Sequence, residues 1–251
     1  MLPNYFHIGA AKAASTYLWR VFAEHPEICV PTHDNCSFFV CAYHKGLEWY
    51  RQTYFPHYNG QAIMAELSNP YMLFEPALVR IKRDLGDVKL SLNLRNPIDL
   101  AYEQWVMQKH VQGELGRVWE EEMHYTIERA LERSWQMFRS WIEPGFYAQH
   151  LRNVYRHFEP ERVLVMFYDD LCADPDAFVK TFFEFLEVDA SVESALVDQR
   201  IGFPGDKGSD TVTGDIARGL SEELRAELRL VFKDDIAELE DMTGRDLSAW
   251  T

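Results

Sequence analysis

"FHIGAAKAASTYLWRVFAEHPEI", residues Phe6 to Ile28, decides how this chain is read. An apolar run ends at Gly9, passes through an alanine-rich turn carrying Lys12, and enters an amphipathic stretch at Ser15. A strand that turns into a helix in this way aims backbone N–H groups outward. Those groups and the helix dipole together make a site for a phosphate. Lys12 would add a mobile positive charge, and Ser15 and Thr16 would add hydroxyl donors. The Walker pattern is not met: it needs glycine just before the lysine and Ser or Thr just after it, and Ala11 and Ala13 stand there. Alanine can replace glycine in such a turn where φ stays negative. Taken alone, the stretch reads equally well as an ordinary strand–helix junction.

Working outward, short apolar runs alternate with helical periodicity. "NYFHIGA", "QAIMAEL", "VKLSLNL" and "RVLVMFY" read as strands. The helices between and after them are "STYLWRVFAEH", "ALVRIKRDL", "PIDLAYEQWVMQKH", "WEEEMHYTIERALERSWQMFRSWI" and "FYAQHLRNVYRHF". "DPDAFVKTFFEFLEV" is a further helix, with Asp174 as its cap and Pro175 at its first position, and "SEELRAELRLVFKDDIAELEDM" is the last. The segment Ile201 to Gly219 reads as a loop long enough to be functional. This order predicts one α/β domain over residues 1–251, three layers deep, with a mainly parallel central sheet flanked by helices.

Composition narrows the function classes. The net charge of −15 argues against nucleic-acid or anionic-membrane partners, so an anionic ligand must be held by a local cluster of donors. No apolar run reaches the ~18 residues of a membrane span. The N-terminus has no basic start followed by an apolar stretch, so a cytoplasmic location is expected. Cys29, Cys36 and Cys41 fall close together, but without a CxxC pair they read as reduced structural thiols before they read as a zinc site. Nine scattered histidines form no HxxxH or HExxH pattern, and no metal is expected. Trp135, Phe138 and Trp141 follow a helical stripe and read as core, and Glu120 to Glu122 read as a solvated helix start.

Several motifs in register carry a family resemblance. "IGAAKAASTYLWRVFAEHPEI" resembles the first nucleotide-binding motif of the sulfotransferases, a Gly-x-x-Lys-x-Gly-Thr-Thr turn followed by a helix and "HPEI". "LNLRNPIDLAYEQW" is similar to their second motif, and "RVLVMFYDDLCADPDAFVKTFFEFLEV" to a later strand–Asp-Leu–Asp-Pro–helix segment. "SFFVCAYHKGLEWY" resembles the Phe-Phe and Gly-x-x-Trp-Tyr of the heparan-sulfate and bacterial branch. The resemblance implies a P-loop-like fold and transfer of a sulfuryl group from 3′-phosphoadenosine-5′-phosphosulfate (PAPS) to a hydroxyl or amine, with no metal. It implies a small-molecule or carbohydrate acceptor held near residues His33–Tyr50 and Gly113–Tyr125. It assigns Lys12 to the 5′-phosphate and bridging oxygen. Ser15 and Thr16, with the backbone of Gly9, Ala11, Ala13 and Ala14, form the cradle. Arg95 takes the 3′-phosphate, and the loop with Lys207 and Gly208 closes on it. Ser209 stands where that loop would carry arginine. Rival readings are a non-catalytic nucleotide- or partner-binding member of the fold, and an enzyme using a nucleotide that lacks the 3′-phosphate.

Two departures stand out. The family's acceptor base precedes the Phe-Phe pair by a spacing that falls on Asn35, which cannot take a proton. Asp34 is the first candidate to replace it, with His33 beside it and a plain surface turn as the other reading. Glu66, which matches a family position at the end of a strand, is the reserve, although the lysine that follows it is replaced by Leu67. Eight residues after Arg95, where the resemblance places a serine on the 3′-phosphate, stands Glu103. Losing one neutral hydrogen bond costs about 1 kcal/mol. A carboxylate about 4 Å from a phosphate charge adds roughly 4 kcal/mol of repulsion at an effective dielectric of about 20. Repulsion dominates. Glu103 therefore turns away, pairs with Arg95, sits as a solvated helix residue, or marks a donor other than PAPS. A basic residue of the family pattern is also missing, at Leu100.

Overall fold

A computed structural model describes residues 1–112, 141–196 and 219–251. They pack as two compact units, each discontinuous in sequence. The first comprises Met1–Leu94 and Leu151–Gly202, the second Arg95–His150 and Phe203–Thr251.

The first unit is built on five parallel strands: β1 (Tyr5–Gly9), β2 (Ile28–Cys29), β3 (Ile63–Leu67), β4 (Lys89–Leu94) and β5 (Val163–Phe167), in the order β2-β3-β1-β4-β5. The sequence showed four of these. β2 is only two residues long, too short for any period to register. Every residue of β1 and β3 is buried, as expected of strands covered on both faces. The two faces still alternate. Tyr5 and His7 meet Phe22 and Phe182, while Phe6 meets Phe39 and Tyr71.

Helices α1 (Ser15–Glu24) and, late in the chain, Pro175–Leu186 cover the first face. They bury Leu18, Val21 and Phe22 from one and Phe178, Phe182 and Phe183 from the other. Each such side chain contributes about 1.5–3 kcal/mol relative to exposure. α2 (Leu47–Tyr54) and α3 (Glu75–Leu85) follow, and with the single wide turn Phe38–Ala42 they serve the opposite face. Phe38 and Phe39 are fully buried. The helix α2 was not read from the sequence. His7 belongs to the core as well: its Nδ1 lies 2.8 Å from Ser91 Oγ, and burial pushes its pKa down to about 3. That keeps the ring neutral.

In the second unit α4 (Pro97–Gln112) packs near the turn Glu143–Gly145. A Cβ on Gly145 would come within 2.8 Å of Phe232 and Pro97, so only glycine fits there. α5 (Tyr147–Tyr155) starts against Asp235, whose carboxylate accepts the Ala148 and Gln149 N–H groups at 3.0 and 3.2 Å. α6 (Tyr168–Ala173) and α7 (Pro175–Leu186) belong to the first unit, and Asp174 caps α7 by accepting the Ala177 N–H at 3.0 Å, as the sequence predicted. The last helix, α8 (Glu222–Thr243), is capped by Ser221. Trp141 is buried, in line with a core role, whereas Trp135, Phe138, Glu120 to Glu122 and the loop from Ile201 lie outside the described residues but for its last residue, Gly219. No helix among the described residues is long and apolar enough to cross a membrane.

Candidate functional site

The chain leaves β1 toward β2 and leaves β4 toward β5, so the carboxyl ends of these adjacent strands form a topological switch point. Open α/β sheets bind ligands there. Gly9 ends β1 at that point, and a Cβ on it would meet Met72 at 3.1 Å. Asn93 near the end of β4 holds both legs of the following turn. Its carbonyl accepts the Ala10 N–H at 2.9 Å, and its side-chain amide donates to the Ala13 carbonyl. Lys12 and Ala14 both adopt left-handed backbone, with φ of 60° and 71°. α1 then starts with no side-chain cap and no acidic residue in its first turn. The positive end of its dipole is left for an outside anion. Asn69 Nδ2 donates to Ser15 Oγ at 3.0 Å and fixes that hydroxyl.

One expectation is corrected here. Alanine was allowed in place of glycine where φ stays negative, but Ala14 is the left-handed residue directly before α1. The turn needs that conformation to swing the chain into the helix, and alanine adopts it at a cost of about 1–2 kcal/mol. Glycine would remove that cost but lose more freedom on folding, by about 0.4–1 kcal/mol. Ala14→Gly is therefore expected to stabilise the protein by about 0.5–1 kcal/mol in a urea titration. A variant no more stable than the parent would contradict the left-handed geometry.

Asp34, the first candidate for the base, is half-buried and its Oδ2 accepts the Thr16 hydroxyl at 2.7 Å. It thus joins the cradle directly. The segment after it is fastened to the end of β3: Asn35 N–H donates to the Leu67 carbonyl at 2.9 Å, Ser37 N–H to Ser68 Oγ at 2.9 Å, and Phe39 N–H to the Tyr71 hydroxyl at 3.1 Å. Below this segment lies Glu66, with no exposed surface. Tyr50 donates to its Oε2, while Ser68 and Tyr71 donate to its Oε1 at 2.6 and 2.5 Å. Burial raises the carboxyl pKa, against the hydrogen bonds from Ser68, Tyr50, Tyr71 and the Phe38 backbone, which lower it. The structure brings Asp34 to the cradle and encloses Glu66 as an anchor beneath it.

In the second unit Arg95 and Glu103 form a forked pair, Nη1 to Oε2 at 2.8 Å and Nη2 to Oε1 at 2.6 Å. Of the four positions open to Glu103 in the sequence, the structure shows this one. Leu100 is fully buried, so its place in α4 is a packing position. Lys207 and Gly208 lie outside the described residues. Asn93, Asn69, Tyr50 and Tyr71 were missed by the sequence reading. Asn93 did leave a signal, since Lys89, Ser91 and Asn93 are polar at alternate positions of β4, between leucines. Ser91 and Asn93 are fully buried. All four cysteines are free thiols, Cys29 and Cys36 buried, Cys41 and Cys172 exposed. Among the described residues no group of three His, Cys, Asp or Glu is placed to hold a metal.

The sulfotransferase domain family matches residues 3–211. Mouse heparan sulfate glucosamine 3-O-sulfotransferase 3B1 is 25% identical over 256 aligned residues, covering 98% of this chain and 64% of that protein. The human 3B1 enzyme is 26% identical over 207 residues, 82% of this chain and 50% of its own length. The chain thus spans less than two thirds of these relatives. A solved sulfotransferase from Alicyclobacillus acidocaldarius superposes over 100% of this chain and 99% of its own, with a TM-score of 0.81 at 24% identity. Mouse sulfotransferase SULT7A1, solved in complex with PAP, covers 94% of this chain and 85% of its own with a TM-score of 0.62 at 15% identity. Strand order, the turn after β1 and the family match agree: the chain belongs to the sulfotransferase domain family.

Proposed function

We propose that this chain transfers a sulfuryl group from PAPS to a hydroxyl or amine of a carbohydrate or small-molecule acceptor. The observation that carries the reading is the Gly9–Thr16 turn, braced by Asn93 and opening into an uncapped helix. Its donors are backbone N–H groups, the Ser15 hydroxyl and one lysine, a set that fits a phosphate. The relatives named for action on heparan sulfate glucosamine support a carbohydrate acceptor, and the PAP-bound relative supports the nucleotide. On this reading residues 1–251 work as one sulfotransferase domain.

PAPS supplies an activated sulfuryl group on a phosphate leaving group. In the transfer the bond between sulfur and the bridging oxygen breaks, and a bond from sulfur to the acceptor oxygen or nitrogen forms. Lys12 and the first turn of α1 stabilise the charge that builds on the leaving phosphate. Asp34 takes the acceptor proton, and its hydrogen bond from Thr16 keeps it at the cradle. Arg95 answers the 3′-phosphate with its fork.

The test is incubation with PAPS and a panel of sugars, phenols and amines, read by sulfated product, alongside calorimetric titration with adenosine-3′,5′-bisphosphate. Bisphosphate binding with product formation is expected. Binding without product on any acceptor would favour a nucleotide-binding module, and no binding would overturn the reading.

A further inference from the structure

Arg95 is the first residue after β4 and Glu103 lies in α4, so the guanidinium reaches forward along the helix that follows it to find a carboxylate. The pair is bidentate, and both side chains are largely enclosed, at 15% and 13% exposure. The other acid of the first turns of α4, Asp99, is engaged by Arg225 at 3.1 Å, which leaves Glu103 to Arg95. A carboxylate presents two oxygens to a guanidinium much as a phosphate does. Glu103 thus stands on Arg95 where a phosphate of a ligand would stand.

We propose that Glu103 is a specificity-determining residue, an internal competitor that weakens the contact between Arg95 and the 3′-phosphate of the bound nucleotide. The inference rests on the reading of Arg95 as the 3′-phosphate ligand and goes beyond it. A 3′-phosphate engages Arg95 fully only in the fraction of molecules in which the pair has opened. The apparent affinity is the intrinsic one multiplied by that fraction. Closed pairs of this kind commonly leave about 0.1–10% open, which corresponds to a ten- to thousandfold weakening. A nucleotide without a 3′-phosphate does not meet the competitor. A loosened bisphosphate also leaves faster, and product release limits many enzymes.

The experiment is isothermal titration of adenosine-3′,5′-bisphosphate and of 5′-AMP into the parent, Glu103→Gln, Glu103→Ser and the double variant Arg95→Ala/Glu103→Gln. Glu103→Gln removes the charge but keeps an oxygen for the arginine, so it remains decisive should Glu103→Ser fail to fold. The bisphosphate is expected to bind Glu103→Gln about ten- to a thousandfold more tightly than the parent, with 5′-AMP changing by less than about threefold. The double variant is expected to lose the gain. Unchanged bisphosphate affinity in Glu103→Gln overturns the proposal, and so does an equal gain for both nucleotides, which would signal easier access. The failure of the underlying reading looks different: if Arg95 does not meet the 3′-phosphate, the double variant binds the bisphosphate as tightly as Glu103→Gln does, and if the chain takes no nucleotide, neither ligand binds any of the four proteins.

Discussion

Lys12→Ala is expected to lower turnover of PAPS by about 100- to 1000-fold, the usual effect of deleting a charged donor to a transition state. Charge moves onto the phosphate oxygens as the sulfur–oxygen bond breaks, so a cation held at that place stabilises the transition state more than the ground state. The position of Lys12 supports this role. It sits inside the turn that Asn93 braces, ahead of an uncapped helix start, and is neither buried nor fully exposed. Its left-handed φ of 60° is backbone that alanine adopts about as readily as lysine, so the variant should melt within a degree or two of the parent. Rates are read as release of adenosine-3′,5′-bisphosphate, with any acceptor that the panel yields or with water. A folded variant with parental turnover would remove Lys12 from the mechanism.

How much of this was legible depended on the distance over which each feature is written. β1, the turn and α1 lie within about two dozen consecutive residues, and their change of period is visible directly. The cap of α7 is a local pair, Asp174 and Pro175, and was read correctly. The brace at Asn93 joins residues 80 apart, so its polar alternation could be noticed but its partner could not be named. Ala14 misled because a sequence shows which residue stands in a turn and not which φ the turn imposes. The surroundings of Glu66 were hidden in another way. A carboxylate at the end of a strand is compatible with catalysis until Tyr50, Tyr71 and Ser68, contributed by α2 and the turn after β3, are seen to enclose it. Arg95 and Glu103 were within reach because they are only eight residues apart, and an arginine just ahead of a helix can lie forward along its first turns. The sequence could offer that pairing but could not select it.

Asp34→Asn separates the two candidate bases. Asparagine keeps an oxygen that can accept the Thr16 hydroxyl, now 2.7 Å from Asp34, so the local geometry should persist. What it loses is the ability to take a proton. Transfer to an acceptor is expected to fall by about 100- to 10,000-fold, the span that a positioned general base supplies. Affinity for adenosine-3′,5′-bisphosphate should hold or rise slightly, because the substitution removes a negative charge beside an anion site. Glu66→Gln behaves differently. Its new NH2 group faces the hydroxyls of Tyr50, Tyr71 or Ser68, all of which donate to the carboxylate. One buried donor then opposes another, at a cost of about 1–3 kcal/mol in stability. The same carboxylate anchors the segment that follows Asp34, so loosening it reaches the acceptor side only through position. A base and an anchor therefore differ in their pH profiles. Asp34→Asn should abolish the rise in rate that accompanies ionisation of the base, whereas Glu66→Gln should retain that rise on a less stable protein. If Glu66→Gln flattens the profile while Asp34→Asn keeps it, the proton goes to Glu66 and the assignment made from Thr16 and Asp34 is wrong.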